Sequence, residues 1–171
     1  QMAENIGATA RAMMNCGLND LRIVAPRDGW PNPLAVPMAA GASQILENAT
    51  QYDNIAAAAH DVNFLAAVSA RRRDMLMRET DPRAVADEIL AHHGKAAFLF
   101  GPEASGLDND EVVQADVLVT AALNPKYPSL NLAQAVLLLA WEWRAAMLVA
   151  SADTASITSS MANTVPAPVK E

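Results

Sequence analysis

Residues 124–135 read NPKYPSLNLAQA and lead directly into the apolar run VLLLAW at residues 136–141. Two prolines and an asparagine restrict the shape of the first half, while the second half begins a helix that is apolar on nearly every side. Asn131 and Gln134 have the spacing of an N-terminal capping pair, which would leave the backbone N–H groups of the first helical turn facing the loop. The stretch therefore predicts a buried helix. The polar loop before it is either a core connection or the wall of a binding site.

The overall composition fits a single domain in a reducing compartment. The chain has 171 residues, and its 12 basic and 19 acidic residues give a net charge of −7, which argues weakly against a nucleic-acid partner. The single cysteine, Cys16, cannot form an internal disulfide. Glu142 and Arg144 close the apolar run and leave too few apolar residues for a membrane span. Because no signal or transit peptide is recognisable, we expect a cytoplasmic protein.

Helical and strand patterns alternate along the chain, which predicts an α/β fold with a mainly parallel sheet. The predicted helices cover residues 4–16, 33–41, 54–60 and 82–93, with Asp53 as the cap of the third. The predicted strands cover residues 21–25, 62–70, 96–100 and 117–121. The second and third of these are nearly continuous apolar runs, typical of buried parallel strands. Residues 41–52 are ambiguous, with a short strand suggested near Ile45.

The two ends of the sequence have different characters. Helical sequence begins almost at Gln1, so a strand that precedes this helix would lie outside the sequence and would affect the edge of the sheet. Beyond Val149 the chain is rich in Ser, Thr, Ala and Pro. We therefore expect the domain to cover residues 1–149 and residues 150–171 to form a disordered tail.

Three predicted strands run into loops that are rich in Gly, Ser, Pro or Arg. Residues 71–73 and Arg78 form a basic run after the strand at 62–70, and the run is either a solvated loop or a ligand-binding loop. Residues 101–107, GPEASGL, allow close approach of the backbone to a ligand but match no nucleotide-binding fingerprint. The carboxyl ends of parallel strands share one edge of a sheet, so we expect these loops to meet there and to form the functional site. The adjacent His92 and His93 diverge on a helix, so we expect no metal site.

Three segments together, in order and spacing, resemble the motifs of the SpoU family of RNA ribose 2′-O-methyltransferases, within the SPOUT α/β-knot superfamily. They are residues 4–11 (ENIGATAR), 100–107 (FGPEASGL) and 124–135. The resemblance covers about residues 2–143. Shorter pieces are most similar to the TrmJ branch, which methylates nucleotide thirty-two of the tRNA anticodon loop: residues 16–18 (CGL), 68–71 (VSAR) and 124–127 (NPKY).

This resemblance implies a C-terminal trefoil knot and a homodimer packed through the first and last helices. It also implies that S-adenosylmethionine lies in the knot and is held largely by backbone groups. The matching cofactor-binding positions are Val68, Ser69, Ala70, Gly101, Ala121, Pro128, Ser129 and Leu130.

The implied reaction transfers a methyl group to a ribose 2′-hydroxyl of tRNA, at cytidine or uridine. The resemblance gives Arg11 the central role, reaching the cofactor of the other subunit, and its supporting polar residues are Asn5, Glu103, Ser129 and Asn131. We favour an Arg11 that orients phosphate and stabilises the alkoxide, because a guanidinium stays protonated at neutral pH. The alternative to a catalytic role for Glu103 is an ion pair with Arg11.

The expected RNA-binding residues are the arginines of the basic run, Arg71, Arg72, Arg73 and Arg78. Two other readings stay open. In the first, the methyl acceptor is an rRNA ribose or a base nitrogen. In the second, the protein is a knotted RNA-binding module without catalysis.

Overall fold

The computed structural model describes residues 2–70 and 76–162, with side chains up to Ala152. The helices are α1 Ala3–Cys16, a 3₁₀ helix at Pro33–Ala35, α2 Val36–Ala39, α3 Ser43–Glu47, α4 Ile55–Ala58, α5 Pro82–Ala91, α6 Asn109–Val112 and α7 Leu132–Ala162. The strands are β1 Arg22–Val24, β2 Thr50–Tyr52, β3 Phe64–Val68, β4 Glu79–Thr80, β5 Ala96–Phe100 and β6 Val117–Val119.

The strands form two parallel sheets. One has two strands, β1 and β2, and the other has four in the order β4, β6, β3, β5. The helix α5 lies in the connection from β4 to β5, and α6 lies in the connection from β5 to β6. The mixed α/β class and the mainly parallel sheet are thus confirmed.

The helix α1 packs against α7, the 3₁₀ helix and α2, and α5 packs on α7. Gly7 permits one of these contacts, because a Cβ there would lie 2.0 Å from the carbonyl oxygen of Ala35. Ile6, Leu132 and Val136 belong to the core cluster between these helices. This packing fixes the start of α1 close to the start of α7.

The prediction of a buried α7 holds for one side of the helix. Val136, Leu139 and Ala140 are buried, whereas Leu137 and Trp141 are exposed. A helix that is apolar all round buries only the stripe that faces its neighbours, so the rest of its apolar surface lies on the outside of this chain.

Capping residues set several helix ends where the sequence predicts them. Asp81 accepts hydrogen bonds from the N–H groups of Arg83 and Ala84, both at 2.9 Å. Asp108 and Glu111 form the reciprocal capping box at the start of α6. Gly17 ends α1 in the left-handed region with φ of 80°.

Three local predictions differ from the structure, and one strand was not predicted. Ile45 is buried in α3, and the strand lies later, at Thr50–Tyr52. Asn54, not Asp53, caps α4 by accepting from the N–H of Ala57 at 2.8 Å. The two-residue strand β4 is too short to leave a pattern. The strand β5 lies at the edge of its sheet and its residues are all half-buried, although its apolar run predicts a buried strand.

The helix α7 continues to Ala162, so residues 150–162 of the predicted tail are helical, while residues 163–171 lie outside the described part. By length and composition, Leu132–Ala152 would suffice to cross a membrane, although core helices pass the same test. Here α7 packs against α1 and α5 and carries an ion pair at 3.4 Å between Glu142 and Arg83.

Candidate active site

Three strands of the larger sheet end side by side. Val68, the last residue of β3, lies opposite Phe100 of β5 and Val119 of β6. The N–H of Ser69 continues the ladder by donating to the carbonyl of Val119 at 3.1 Å. The loops after these strands therefore leave from one edge of the sheet, as the sequence predicts.

The loop after β5 folds tightly back on its own first residue. A Cβ at Gly101 would lie 2.2 Å from the backbone nitrogen of Leu107 and 3.0 Å from the Cα of Gly106. The turn is closed by Gly106, whose N–H donates to the carbonyl of Pro102 at 2.7 Å. Gly101 is thus required by packing within the loop, whether or not a ligand approaches it.

The loop before α7 is held by asparagine side chains at both ends. Asn124 accepts from the N–H of Lys126 at 3.0 Å, and its carbonyl accepts from the N–H of Tyr127 at 2.9 Å. Asn131 accepts from the N–H of Ala133 at 2.9 Å, and its own N–H donates to the side chain of Gln134 at 2.9 Å. The predicted capping pair is confirmed.

Hydrogen bonds of one side chain, Asn5, connect the starts of α1 and α7 with the loop after β5. Its Nδ2 donates to Oε1 of Glu103 at 2.6 Å, and its Oδ1 accepts from Nδ2 of Asn131 at 3.1 Å. We call these three residues the Asn5 bridge. The bridge joins positions that are 98 and 126 residues apart in the chain. The partner of Glu103 is Asn5, so the alternative of an Arg11 ion pair is wrong for this structure.

Arg11 and Ser129, the other two candidate catalytic residues, lie outside the bridge. Arg11 follows Asn5 by six residues, which is about 9 Å along the helix axis and on a different face. It is exposed, and among the described residues it has no carboxylate partner. Ser129 is exposed in the loop before α7. The structure brings together three of the five predicted catalytic residues.

The predicted cofactor-binding positions lie in two groups. Val68, Ser69, Ala70, Gly101 and Ala121 are at or just after the three aligned strand ends, and Pro128, Ser129 and Leu130 precede α7. Most of these positions have short or ring-constrained side chains. This donor set fits a cofactor that is recognised through main-chain groups.

The predicted RNA-binding arginines contribute little free charge in the described residues. Arg71, Arg72 and Arg73 lie outside the described part. Arg78 forms two hydrogen bonds with Glu88, at 2.7 and 3.0 Å, and this carboxylate raises the pKa of Arg78.

Sequence reasoning missed Tyr127 and Lys126 as exposed groups beside the site. Tyr127 is 75% exposed, and Lys126 is exposed without a carboxylate partner in the described chain. The sequence signal that could have identified them is an aromatic residue next to a lysine, both placed between two prolines.

No group of three or more His, Cys, Asp or Glu side chains within the described ranges is placed to hold a metal ion. His92 instead packs near Phe64, with ring centroids 5.2 Å apart.

Comparison with known proteins identifies the family of the chain. The model of the SpoU rRNA Methylase family matches residues 1–141. The chain is 40% identical over 146 residues to the tRNA (cytidine/uridine-2′-O-)-methyltransferase TrmJ of Pectobacterium atrosepticum, covering 84% of this chain and 60% of that protein. It is 39% identical over 145 residues to an uncharacterized tRNA/rRNA methyltransferase of Haemophilus influenzae, covering 85% and 59%.

Among solved structures, the crystal structure of TrmJ from Z. mobilis superposes with a TM-score of 0.83 at 46% identity, covering 84% of this chain and 64% of that one. The chain thus spans about three fifths of the length of the curated relatives it matches. The family match extends over most of the chain and includes all three segments that meet at the Asn5 bridge, so the chain belongs to the SpoU rRNA Methylase family.

Proposed function

We propose that this chain is an S-adenosylmethionine-dependent methyltransferase domain that acts on a ribose 2′-hydroxyl of tRNA. The observation that carries the proposal is the Asn5 bridge, which connects the three motif-bearing segments at the edge where β3, β5 and β6 end. The relative from Pectobacterium atrosepticum is named a tRNA (cytidine/uridine-2′-O-)-methyltransferase. We assign nucleotide thirty-two of the anticodon loop as the target.

The cofactor would be held by the loops after the three strands and by residues 128–130. When bound, S-adenosylmethionine supplies an electrophilic methyl group on a positively charged sulfur. The protein residues at this site are neutral and short, and Ala121 already has its carbonyl tied to the N–H of Leu123 at 2.8 Å. Because the loop is already ordered, it loses little conformational entropy when the cofactor binds.

The acceptor ribose has to be held in line with the methyl group and has to lose its hydroxyl proton. We assign the positioning to the Asn5 bridge, whose three side chains fix each other's orientation. Glu103 is the only carboxylate in the bridge, and its Oε1 already accepts from Asn5. We assign Arg11 to the developing alkoxide and to the neighbouring phosphate, since a guanidinium remains charged throughout. Ser129 would contact the cofactor or the ribose from the loop before α7.

Recognition of RNA by a chain of net charge −7 needs a local basic surface. We propose that Arg71, Arg72, Arg73 and Arg78 supply it, with Arg11 and Lys126 nearer the reacting ribose. Tyr127 is an exposed ring next to Lys126, and an unpaired base of a tRNA loop can stack on such a ring.

Three further features belong to the same proposal. Residues 1–149 form the methyltransferase domain, with a trefoil knot at its C-terminal end. The protein is a homodimer through α1 and α7, in which Arg11 serves the site of the partner subunit. It acts in the cytoplasm, where tRNA is processed.

The test is transfer of tritiated methyl from S-adenosylmethionine to unmodified tRNA, followed by mapping of the labelled nucleotide. Labelling of a ribose in the anticodon loop, lost when nucleotide thirty-two carries a 2′-deoxyribose, is the expected result. Labelling of rRNA alone would contradict the substrate. Titration calorimetry that shows no S-adenosylmethionine binding by the folded protein would contradict the activity and favour a non-catalytic RNA-binding module.

A further inference from the structure

The loop after β1 lies beside the candidate active site. Residues 24–26, at the carboxyl end of β1, and residues 100–102, at the carboxyl end of β5, line one cavity of about 790 Å³. Arg27 and Glu103 are the next residues along the chain on the two sides of this cavity. Since Glu103 belongs to the Asn5 bridge, the loop after β1 brings an arginine to the site from a fourth strand end.

A tight turn presents Arg27 at the tip of this loop. The N–H of Gly29 donates to the carbonyl of Pro26 at 3.2 Å, so Arg27 and Asp28 are the two central residues of the turn. Central residues of a surface turn point their side chains into solvent. The Arg27 side chain is accordingly 67% exposed.

The turn is held on both sides. Before it, the N–H of Ala25 donates to the carbonyl of Tyr52 in β2 at 2.9 Å. After it, Trp30 packs against the core cluster that contains Leu132 at the start of α7. A ligand of Arg27 would therefore meet an ordered backbone, and binding would cost little loop entropy.

The guanidinium of Arg27 uses only part of its hydrogen-bonding capacity. Its Nε donates to Oδ1 of Asp28 at 2.9 Å and its Nη2 to Oδ2 at 2.7 Å. Its Nη1 has no partner within the described ranges, so three of about five N–H donors stay free. Asp28 and, less strongly, Glu103 raise the pKa of Arg27. The free edge is a charged fork of the kind that fits a phosphate group.

Most other cations that the structure describes are held by a different element. Those with a carboxylate partner on another segment are Arg22, Arg78, Arg83 and Lys95. Arg144 donates to the last carbonyl of α1, that of Cys16, at 3.4 Å. Arg27 pairs only with its own neighbour in the turn, and an exposed pair of this kind contributes little to stability. The fold therefore does not account for Arg27.

We propose that Arg27 binds a backbone phosphate of the tRNA beside the target ribose, with Asp28 orienting the guanidinium so that its free edge faces the RNA. This inference rests on the function proposed above, because its ligand is the same tRNA. A chain of net charge −7 needs phosphate contacts near the reacting ribose, and Arg27 supplies one from a segment separate from the basic run at residues 71–73. The carboxylate of S-adenosylmethionine is the other anion expected at this site, and the experiment separates the two.

The experiment measures binding of unmodified tRNA at a series of salt concentrations. Arg27→Ala should weaken binding about 3–10-fold and reduce the slope of log affinity against log salt by about 0.7–1, as expected for one lost phosphate contact. Arg27→Lys should keep the wild-type slope and lose less than about threefold, because it keeps the charge without the fork. Lys95→Ala removes a charge before β5, at the opposite end of that strand, and should change neither value.

A phosphate contact carries no sequence information, so the loss in Arg27→Ala should be equal for tRNAs with cytidine or uridine at the target. A loss confined to one of the two would indicate a base contact and contradict the proposal. Calorimetric titration should show unchanged affinity for S-adenosylmethionine. A weaker affinity would assign Arg27 to the carboxylate of the cofactor and also contradict it.

Two further results would overturn the role of Arg27. One is an unchanged tRNA affinity and salt slope in Arg27→Ala, and the other is an equal effect of Lys95→Ala. The proposed function has a separate test, because a wild-type chain that methylates no tRNA would refute it. If the wild type is active and Arg27→Ala is indistinguishable from it, only the role of Arg27 is refuted.

Discussion

Asn5 is the residue on which the candidate site depends most, because it donates to Glu103 and accepts from Asn131 with the same amide group. Both bonds lie in an exposed region, so they contribute modestly to folding but fix three side chains in one geometry. An amide can bridge an acceptor and a donor in this way because its nitrogen donates while its oxygen accepts.

Asn5→Ala should lower the rate of methyl transfer to tRNA about 10–100-fold while leaving the affinity for S-adenosylmethionine within about threefold, because the cofactor contacts come from other loops. The measurement is single-turnover transfer alongside calorimetric titration. Asn15→Ala, at an exposed position near the end of α1, is the matched control and should change neither value. If the substitution lowered cofactor affinity together with activity, Asn5 would be assigned to cofactor binding and not to positioning of the acceptor ribose.

At the scale of single elements, the loop after β5 depends on the lack of a side chain at its first residue. Gly101→Ala would place a Cβ against the backbone of Gly106 and Leu107, neither of which can move as a side chain can. We expect a loss of about 1–3 kcal/mol in the free energy of unfolding and at least about a tenfold loss of S-adenosylmethionine affinity.

Gly41→Ala is the control for this loop prediction. Gly41 has φ of +96° with open space around it, so the substitution costs about 1–2 kcal/mol through backbone strain alone. Cofactor affinity should stay unchanged in urea-free buffer. A Gly101 variant with normal affinity would show that the glycine serves only the turn.

The charged cluster at the amino ends of β1 and β5 makes stability depend on pH. Hydrogen bonds from Arg22 and then Lys95 lower the pKa of Asp61, and Arg22 likewise lowers the pKa of Asp20. A lowered folded-state pKa means that the ionised carboxylate stabilises the fold above its unfolded pKa of about 4. This contribution is lost as the pH falls below about 4 toward the folded pKa.

Asp61→Asn should therefore reduce the slope of unfolding free energy against pH below about pH 4, measured by urea denaturation at a series of pH values. Asp53→Asn changes an exposed aspartate that forms no ion pair among the described residues, and it should keep the wild-type slope. Identical slopes in the wild type and the Asp61 variant would mean that the cluster is too solvated to matter.

Most elements of the fold could be predicted from the sequence because their signals are local. Gly17, Asp81 and the Asp108–Glu111 box set helix ends through contacts within a few residues. The apolar run at β3 predicts a central strand, and β3 does pair on both sides. A similar run predicts a buried β5, but β5 is half-buried at the edge of its sheet. Apolar character indicates that a strand will be covered and does not indicate which element covers it.

The geometry of the site could be predicted only in part. The meeting of the loops after β3, β5 and β6 follows from the parallel sheet. The pairing of Glu103 with Asn5 instead of Arg11 depends on how α1 packs against its neighbours, for example on the close approach of Gly7 to the backbone of Ala35. No sequence pattern encodes such a distance.

At the scale of the whole molecule, the exposed face of α7 bears on whether the chain is a monomer or an oligomer. Leu137, Trp141 and Leu148 are 41%, 60% and 54% exposed, and their spacing places them in one stripe along the helix. Met14 adds an exposed apolar side chain on the neighbouring α1. A continuous apolar stripe of this kind marks an interaction surface, and a second copy is the partner proposed above.

Trp141→Asp should weaken self-association by about 100-fold or more, because a large apolar anchor is replaced by a charge that the interface would have to bury. Sedimentation equilibrium measures the change. Val113→Asp is the matched control, since Val113 is 59% exposed at the end of α6, outside both α1 and α7, and its substitution should leave the association constant unchanged. Equal weakening in both variants, or a wild-type chain that stays monomeric, would exclude this stripe as the interface.

Activity requires the dimer if Arg11 acts on the partner's site. Mixing two inactive variants tests this directly. Arg11→Ala lacks the arginine, and Asn131→Ala lacks a bridge residue on the other side of the proposed site. In a mixed dimer with Arg11 acting across the interface, the subunit that keeps Asn131 receives Arg11 from the other one, so one complete site is restored. Co-refolding equal amounts should then recover about a quarter of the wild-type activity, since about half of the dimers are mixed and each has one working site. If Arg11 acts within its own subunit, no combination restores a complete site, and the mixture stays as inactive as its components.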